Sequence, residues 1–508
     1  MKEFSLSLEE FREASKRGNL VPIFKQFLCD KETPVSLFLD WGMDVSEDSV
    51  LLESVIAGES LGRNSFLASD PSATLKGREG QFVLRTRNPD GSYSEELVSS
   101  TDPLLVLEDK IGSFKQATDS RLPSFQGGAI GFLAYDAIRY YEVIPDSNHN
   151  SENHPDTYFA IYNDLIVIDH IDHTVKIVSN AYVGKDVDLE RAYNLSIESI
   201  RKIEEQVFQN PKAHPSIIIP ENSEHSLALD PVMGDEQYKE AVQKAKEYIF
   251  AGDIFQVVPS RKVRFKPEVP AFQIYRALRA VNPSPYMYFM KLGSLQIVGS
   301  SPEILVKHTL EKTTLRPIAG TRHRGKNLTE DEALAKDLLA DQKEVSEHIM
   351  LVDLGRNDLG RISEAGSVVV EDFKSIEKYS HVMHIVSQCV GKIRNDKSVY
   401  DVIRATLPAG TVSGAPKIRA MEIIDELENN HRGIYSGGLG YISFAGEMDI
   451  AIIIRTIILD GETGYLQAGG GIVYDSDPEA ELLETKNKMA GMLKAIEFAR
   501  HGLKGELK

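Results

Sequence analysis

Two pairs of carboxylates stand at helical spacing. Glu344 and Glu347 are three residues apart and share a face, with Val345, Ile349 and Val352 opposite. Glu481 and Glu484 repeat that spacing, and Lys488 follows one turn on. Carboxylates from two facing helices make a hard oxygen site suited to Mg²⁺, which takes few protein carboxylates and keeps several waters. The same spacing also describes two solvated faces of an acidic protein, and spacing alone leaves both open. Gly469-Gly470-Gly471 follows a strand-like stretch, so its amides can close on a carboxylate or phosphate, or simply form a tight bend. Arg455 lies inside an apolar run that reads as a strand. A buried guanidinium there needs an anion, either a protein carboxylate or a substrate carboxylate held bidentately. His384 sits among apolar neighbours, as a core histidine or a proton carrier would. The stretch 409–417 invites a nucleotide-binding reading, but three residues rather than four separate its glycines, and Lys417 does not directly follow Gly414. Neither cysteine is set as a nucleophile: Cys29 precedes Asp30, and Cys389 lies in an apolar stretch with no adjacent base.

The elements that must position these groups follow from periodicity. Up to about residue 185 the chain reads as mixed α and β, with a helix over 8–17 and strands at 35–39, 82–86, 165–169 and 175–179. A helix over 191–209 leads into 210–231, a linker with four prolines. Beyond it, 237–250 reads as a helix and 255–258 as a strand. The segment 329–354 reads as one long helix, with Thr329 and Glu332 at capping-box spacing and Gly355 past its end. Strands at 439–444 and 450–459 and a helix over 478–500 close the chain. Strands outnumber βαβ units, so the expectation is an α+β fold of large, mainly antiparallel β-sheets flanked by helices. The expected divisions are 1–185, a helix and linker over 186–234, and 235–500.

At 508 residues the chain exceeds the size of a single core, and with 42% apolar and 26% charged residues it has globular composition. A net charge of −19 with no basic run argues against nucleic acid and anionic membrane surfaces as partners. Two cysteines cannot make a disulfide framework, which fits a reducing, cytoplasmic compartment. The N-terminus has early acids and no apolar h-region, and the most apolar stretch is short and interrupted by Arg455, so neither a signal peptide nor a membrane span is expected.

Several motifs then occur together and in order: Ser301-Pro-Glu303, Pro317-Ile-Ala-Gly320-Thr321-Arg322, the run from Glu347 to Asp358, Leu407 to Lys417, and the glycine triplet. They resemble the chorismate-utilising enzymes, most closely the anthranilate synthase large subunits. The resemblance is dense over 235–495 and thinner over 1–185, where Leu51-Leu-Glu53-Ser54 and Gly127 to Tyr135 carry it. It implies a chorismate-binding catalytic domain at 235–500 and a regulatory domain at 1–185. Glu347 and Glu484 would be direct Mg²⁺ ligands, with Glu344 and Glu481 reaching the ion through water. The ion and the amides of Gly469, Gly470 and Gly471 would hold the ring carboxylate of chorismate. Arg455 and Tyr441 would clamp the enolpyruvyl carboxylate, with Lys488 adding charge nearby. Glu303 resembles the general acid for the departing C4 hydroxyl, and His384 the histidine of pyruvate elimination. Gly320, Thr321 and Thr411 resemble substrate-contacting positions.

The resemblance also separates the members. Water-adding relatives have a lysine base where this chain has Gln256, and aminodeoxychorismate synthases commonly have lysine where it has Ala319. Both substitutions point to ammonia as nucleophile and anthranilate and pyruvate as products, the first step towards tryptophan. The alternatives are an aminodeoxychorismate synthase or a non-catalytic chorismate or tryptophan sensor. Ammonia would come from glutamine through a partner amidotransferase subunit. Glu53 and Ser54, with Pro285, Tyr286 and Met287, resemble a tryptophan site for feedback inhibition. In that site Glu53 can pair with an α-ammonium while Pro285 and Met287 line an apolar slot.

Overall fold

Alternating apolar strands build two large antiparallel sheets in the computed structural model, with helices packed on and between them, an α+β arrangement. The structure describes residues 2–43, 46–54, 62–88, 90–148, 152–212, 214, 217, 227–379 and 382–502. Much of the expected linker, at 213, 215–216 and 218–226, lies outside the described residues. Among the described residues no helix is long and apolar enough to cross a membrane.

Both sheets run through both halves of the sequence. In the first, strand Asp48–Glu53 pairs with Tyr286–Leu292, and in the second Gly128–Leu133 pairs with Gly438–Ser443. The chain boundary near residue 185 therefore divides the sequence but not the sheets. The layer between the sheets is apolar and includes Phe125, Tyr162, Tyr288 and Ile297, all at 1% exposure or less. On the other face of the first sheet, Phe289 packs against Phe38 and Phe272 with ring centroids 5.6 and 5.0 Å away. Each such buried ring contributes about 1.5–3 kcal/mol.

Three expected elements differ. Residues 35–39 are not a strand: Pro34–Leu37 is a helical turn that continues as Phe38–Gly42. Thr33 caps it and Pro34 takes the first helical position, a start signal that outweighs a short apolar run. The long helix of 329–354 is two, Leu328–Ala340 and Gln342–Gly360. Asn327, not Thr329, caps the first. Asp341 leaves the helical conformation and its carboxylate caps Lys343 and Glu344, so Gly355 falls inside the second helix. The apolar run 450–459 is two strands, Met448–Ile452 and Thr456–Asp460, which belong to different sheets.

Candidate active site

The split of that apolar run places the most consequential residues. Strand Leu295–Ser301 lies in the first sheet and Ile304–His308 in the second, so Pro302 and Glu303 form a crossover link. Residues 453–455 cross the same gap in the opposite sense. The two links lie side by side: Ser300 N donates to Arg455 O at 3.1 Å, and Ile452 N donates to Glu303 O at 3.0 Å. Arg455 is thus not inside a strand, as its apolar flanks suggested. Its backbone has φ +52°, a conformation costly for a long side chain and tolerated mainly at functional sites. Among the described residues its guanidinium makes no ion pair. Burial pushes its pKa down, with Glu303, Tyr435 and Glu484 pulling it back up. Burial likewise pushes the Glu303 carboxyl up, opposed by Thr411, Lys488 and Arg455. Thr411 Oγ1 is itself buried with no full hydrogen bond among the described residues.

His384, on strand Val382–Gly391, completes this end. Its Nδ1 lies 2.8 Å from Gly320 O and 3.1 Å from Thr321 Oγ1. A carbonyl can only accept, so the proton sits on Nδ1 and the Nε2 lone pair is left free. Burial lowers the histidine's pKa, only partly offset by Gly320, while Arg455 pushes the same way. The neutral ring is therefore the stable form.

The carboxylates gather around the glycine triplet that follows strand Thr463–Gly469. A Cβ on Gly470 would stand 2.9 Å from Glu481 Oε2, and one on Gly471 would stand 2.5 Å from Gln256 Nε2 and 3.8 Å from Glu347 Oε1. Backbone and carboxylates meet here only because side chains are missing. Gln256 Nε2 donates to Glu347 Oε1 at 3.1 Å, while Gln256 Oε1 is buried without a partner among the described residues. Lys488 donates to Gly469 O at 2.8 Å and pairs with Glu484 at 2.7 Å. Burial raises the pKa of Glu347, Glu344 and Glu481, and Glu347 is raised further by Glu344 and Glu484. Glu481 Oε2 is buried and unpartnered. Glu344 faces Gly320 and lies 3.6 Å from Arg322. Among the described residues no three of these acids close into a ligand group. Still, these acidic oxygens from two helices are only partly compensated by Lys488, Arg322 and Gln256, and Glu481 Oε2 has no partner among the described residues, a donor set that a divalent cation satisfies.

Tyr441 is elsewhere. It lines a second cavity of about 170 Å³ that Glu53, Ser54, Pro285, Tyr286 and Met287 also line. Phe66 meets Tyr441 edge-on at 5.8 Å, and Ser54 Oγ is buried without a partner among the described residues. Tyr286 donates to Asp449 at 3.1 Å. Glu53 is less free than its type suggests: Arg279 lies 3.2 Å from its carboxylate, which also accepts from Tyr275. The tyrosine that shares Arg455's surroundings is Tyr435, and nothing in its spacing singled it out. Lys417 is buried in an ion pair with Asp358 at 2.7 Å, a structural role that agrees with the absence of a phosphate loop.

The crossover acid and guanidinium and the glycine-lined carboxylates make up the candidate site. The family model for chorismate binding enzymes matches residues 56–494, and the chain belongs to that family. It is 43% identical to anthranilate synthase component 1 of Acetivibrio thermocellus over 98% of this chain and 99% of that one. It is also 43% identical to the Aquifex aeolicus protein of that name, over 97% and 98%. Among solved structures, anthranilate synthase component I from Streptococcus pneumoniae matches with TM-score 0.71 and 37% identity, covering 92% of this chain and 99% of that one. The menaquinone-specific isochorismate synthase of Escherichia coli, 17% identical with TM-score 0.67 over 96% and 98%, shares the fold.

Proposed function

We propose that this chain converts chorismate and ammonia to anthranilate and pyruvate, as the chorismate-side component of an anthranilate synthase. The observation that carries the reading is the pair of adjacent crossover links that set Glu303, a carboxyl whose pKa burial raises, beside Arg455, whose guanidinium has no ion pair among the described residues. Arg455, with Tyr435, takes the enolpyruvyl carboxylate, and the triplet amides with Lys488 take the ring carboxylate. Glu347 and Glu484 would hold Mg²⁺ directly, with Glu344 and Glu481 through water, and the bound ion supplies positive charge against those acids and the ring carboxylate. Neutral Glu303, with Thr411 beside it, gives its proton to the C4 hydroxyl as ammonia adds at C2, because hydroxide leaves poorly unaided. His384, oriented by Gly320 and Thr321, offers Nε2 to the proton shed as pyruvate departs.

Two positions favour ammonia over other nucleophiles. The amide of Gln256 is no base to activate water, and with Nε2 donating to Glu347 its Oε1, unpartnered among the described residues, can accept a hydrogen bond from ammonia. Ala319 cannot supply an attacking amine. A sensor would need no general acid at that position. Anthranilate fluorescence should appear when the chain is given chorismate, Mg²⁺ and ammonium at alkaline pH. No product would overturn the reading, and isochorismate or aminodeoxychorismate would assign a sister reaction. Both thiols are free, which suits a cytoplasmic setting.

The second cavity is proposed to bind tryptophan as a feedback inhibitor, with 1–185 as the regulatory segment. Its Ser54 hydroxyl, unpartnered among the described residues, its aromatic walls and the Lys307–Asp449 ion pair at 3.3 Å suit a polar head group bearing an indole. It is wired to the site by sheet register: Glu53 pairs with Met287, Met287 with Ser300, and Ser300 N bonds Arg455 O. A ligand that prefers one arrangement of that row biases Arg455, and typical couplings are about 1–3 kcal/mol. Ser54→Phe should fill the cavity and leave an active enzyme that ignores tryptophan. Undiminished inhibition of that variant would place the regulatory site elsewhere.

A further inference from the structure

A buried ion pair that the proposed reaction does not use lies among the segments that carry the candidate site. Glu428 stands at the end of helix Lys417–Leu427, and Arg432 follows it by four residues. They are 5% and 3% exposed. Arg432 grips the carboxylate with two nitrogens, Nε at 3.1 Å from each oxygen and Nη2 at 2.6 Å from Oε1. Tyr135 covers the guanidinium, with its ring centroid 4.7 Å away. A buried pair of this kind adds little stability over well-packed apolar side chains of similar volume, so stability alone does not account for it.

The pair's other side-chain hydrogen bonds among the described residues run to those segments. Arg432 Nη1 donates to Val412 O at 2.6 Å, and Nη2 donates to Val258 O. Thr411, which lines the same cavity as Glu303, directly precedes Val412, and Gln256 stands two residues before Val258. Val258 N in turn donates to Ser413 O at 3.0 Å, which ties the strand to the far side of the Thr411 turn. Glu428 Oε1 accepts from Ser260 N at 2.7 Å and from Ser260 Oγ at 2.9 Å. Ser260 is the register partner of Gly469, at the head of the glycine triplet. A rigid planar fork can hold two carbonyls and a carboxylate in fixed directions, which an ammonium on a flexible stem cannot.

We propose that Glu428 and Arg432 are positioning residues for the acid end of the site, fixing the Thr411 turn against Glu303 and so setting proton delivery. The inference rests on the acid role given to Glu303 above. Removing one partner alone would strand the other's charge in the interior, so the two are replaced together. The double variant Glu428→Met, Arg432→Met should melt within a few degrees of the parent, keep its KM for chorismate within about threefold, and lose about tenfold or more in kcat. Arg432→Lys keeps the charge but not the fork and should show the same split. Its loss should act through Thr411, so on a Thr411→Val background it should cost less than about threefold further. A folded double variant with the parent's kcat would overturn the proposal. So would an Arg432→Lys loss of equal size on both backgrounds, since a pair that served only the fold would act independently of Thr411. If the double variant failed to fold, the Arg432→Lys comparison would decide. Turnover is read as chorismate consumption, so a product other than anthranilate would correct the proposed reaction and still score the pair. A parent that consumed no chorismate would overturn both.

Discussion

Glu303→Gln is expected to cut turnover by about a hundred- to ten-thousand-fold, or roughly 3–5 kcal/mol of barrier, while leaving chorismate affinity nearly intact. An amide fills the same space but cannot deliver a proton to the leaving hydroxyl. The pH profile should report the same group. Burial raises the Glu303 pKa, so its acid form persists above the ordinary carboxylate range and is lost as pH rises through that raised value. With ammonium as donor, rising pH should favour turnover through free ammonia and oppose it through ionisation of Glu303. The folding linkage has a definite sign as well. A carboxyl whose folded pKa exceeds its unfolded one adds stability below the unfolded value and loses it as pH rises through the folded one. The variant should therefore melt no lower than the parent at neutral pH. A variant that kept most of its turnover, or that lost it by unfolding, would remove Glu303 from the acid role.

The sheets, most strands and the closing helix were legible in the sequence because period-2 apolar runs and turn residues coincide there. The candidate site was legible as a set of residue types but not as an arrangement. Arg455 shows why. Its flanks, Ile450 to Ile454 and Thr456 to Leu459, read as one buried strand, and only tertiary structure reveals that the chain leaves one sheet and enters the other at that residue. Glu303 is placed by the same crossover, flagged in sequence by Pro302 alone. Tyr441 shows the converse. Its strand was read correctly, yet alternation fixes which face a residue takes, not which cavity that face meets. The tyrosine near enough to influence Arg455 proved to be Tyr435, in a turn without periodicity. The carboxylate pairs were found by spacing, but that they flank glycines whose missing Cβ atoms make room for them is visible only in three dimensions.

Arg455→Gln should reverse the usual relation between stability and activity. The guanidinium is charged, largely enclosed and without an ion pair among the described residues, on backbone held at φ +52°. Burial lowers its pKa, yet arginine stays protonated across the accessible range, so its cost to the fold does not depend on pH. A neutral amide removes that desolvation cost, and the unliganded variant should melt at a higher temperature than the parent. Chorismate binding should suffer in turn. Losing one member of a desolvated, bidentate charge pair costs about 2–5 kcal/mol, which is roughly a thirty- to several-thousand-fold fall in kcat/KM. The two effects should cross in one thermal melt series. Chorismate with Mg²⁺ should raise the melting temperature of the parent by mass action and leave that of the variant unmoved. A variant that melts lower without ligand, yet is still stabilised by chorismate, would make Arg455 a structural residue and would return the enolpyruvyl carboxylate to Lys488 or Tyr435.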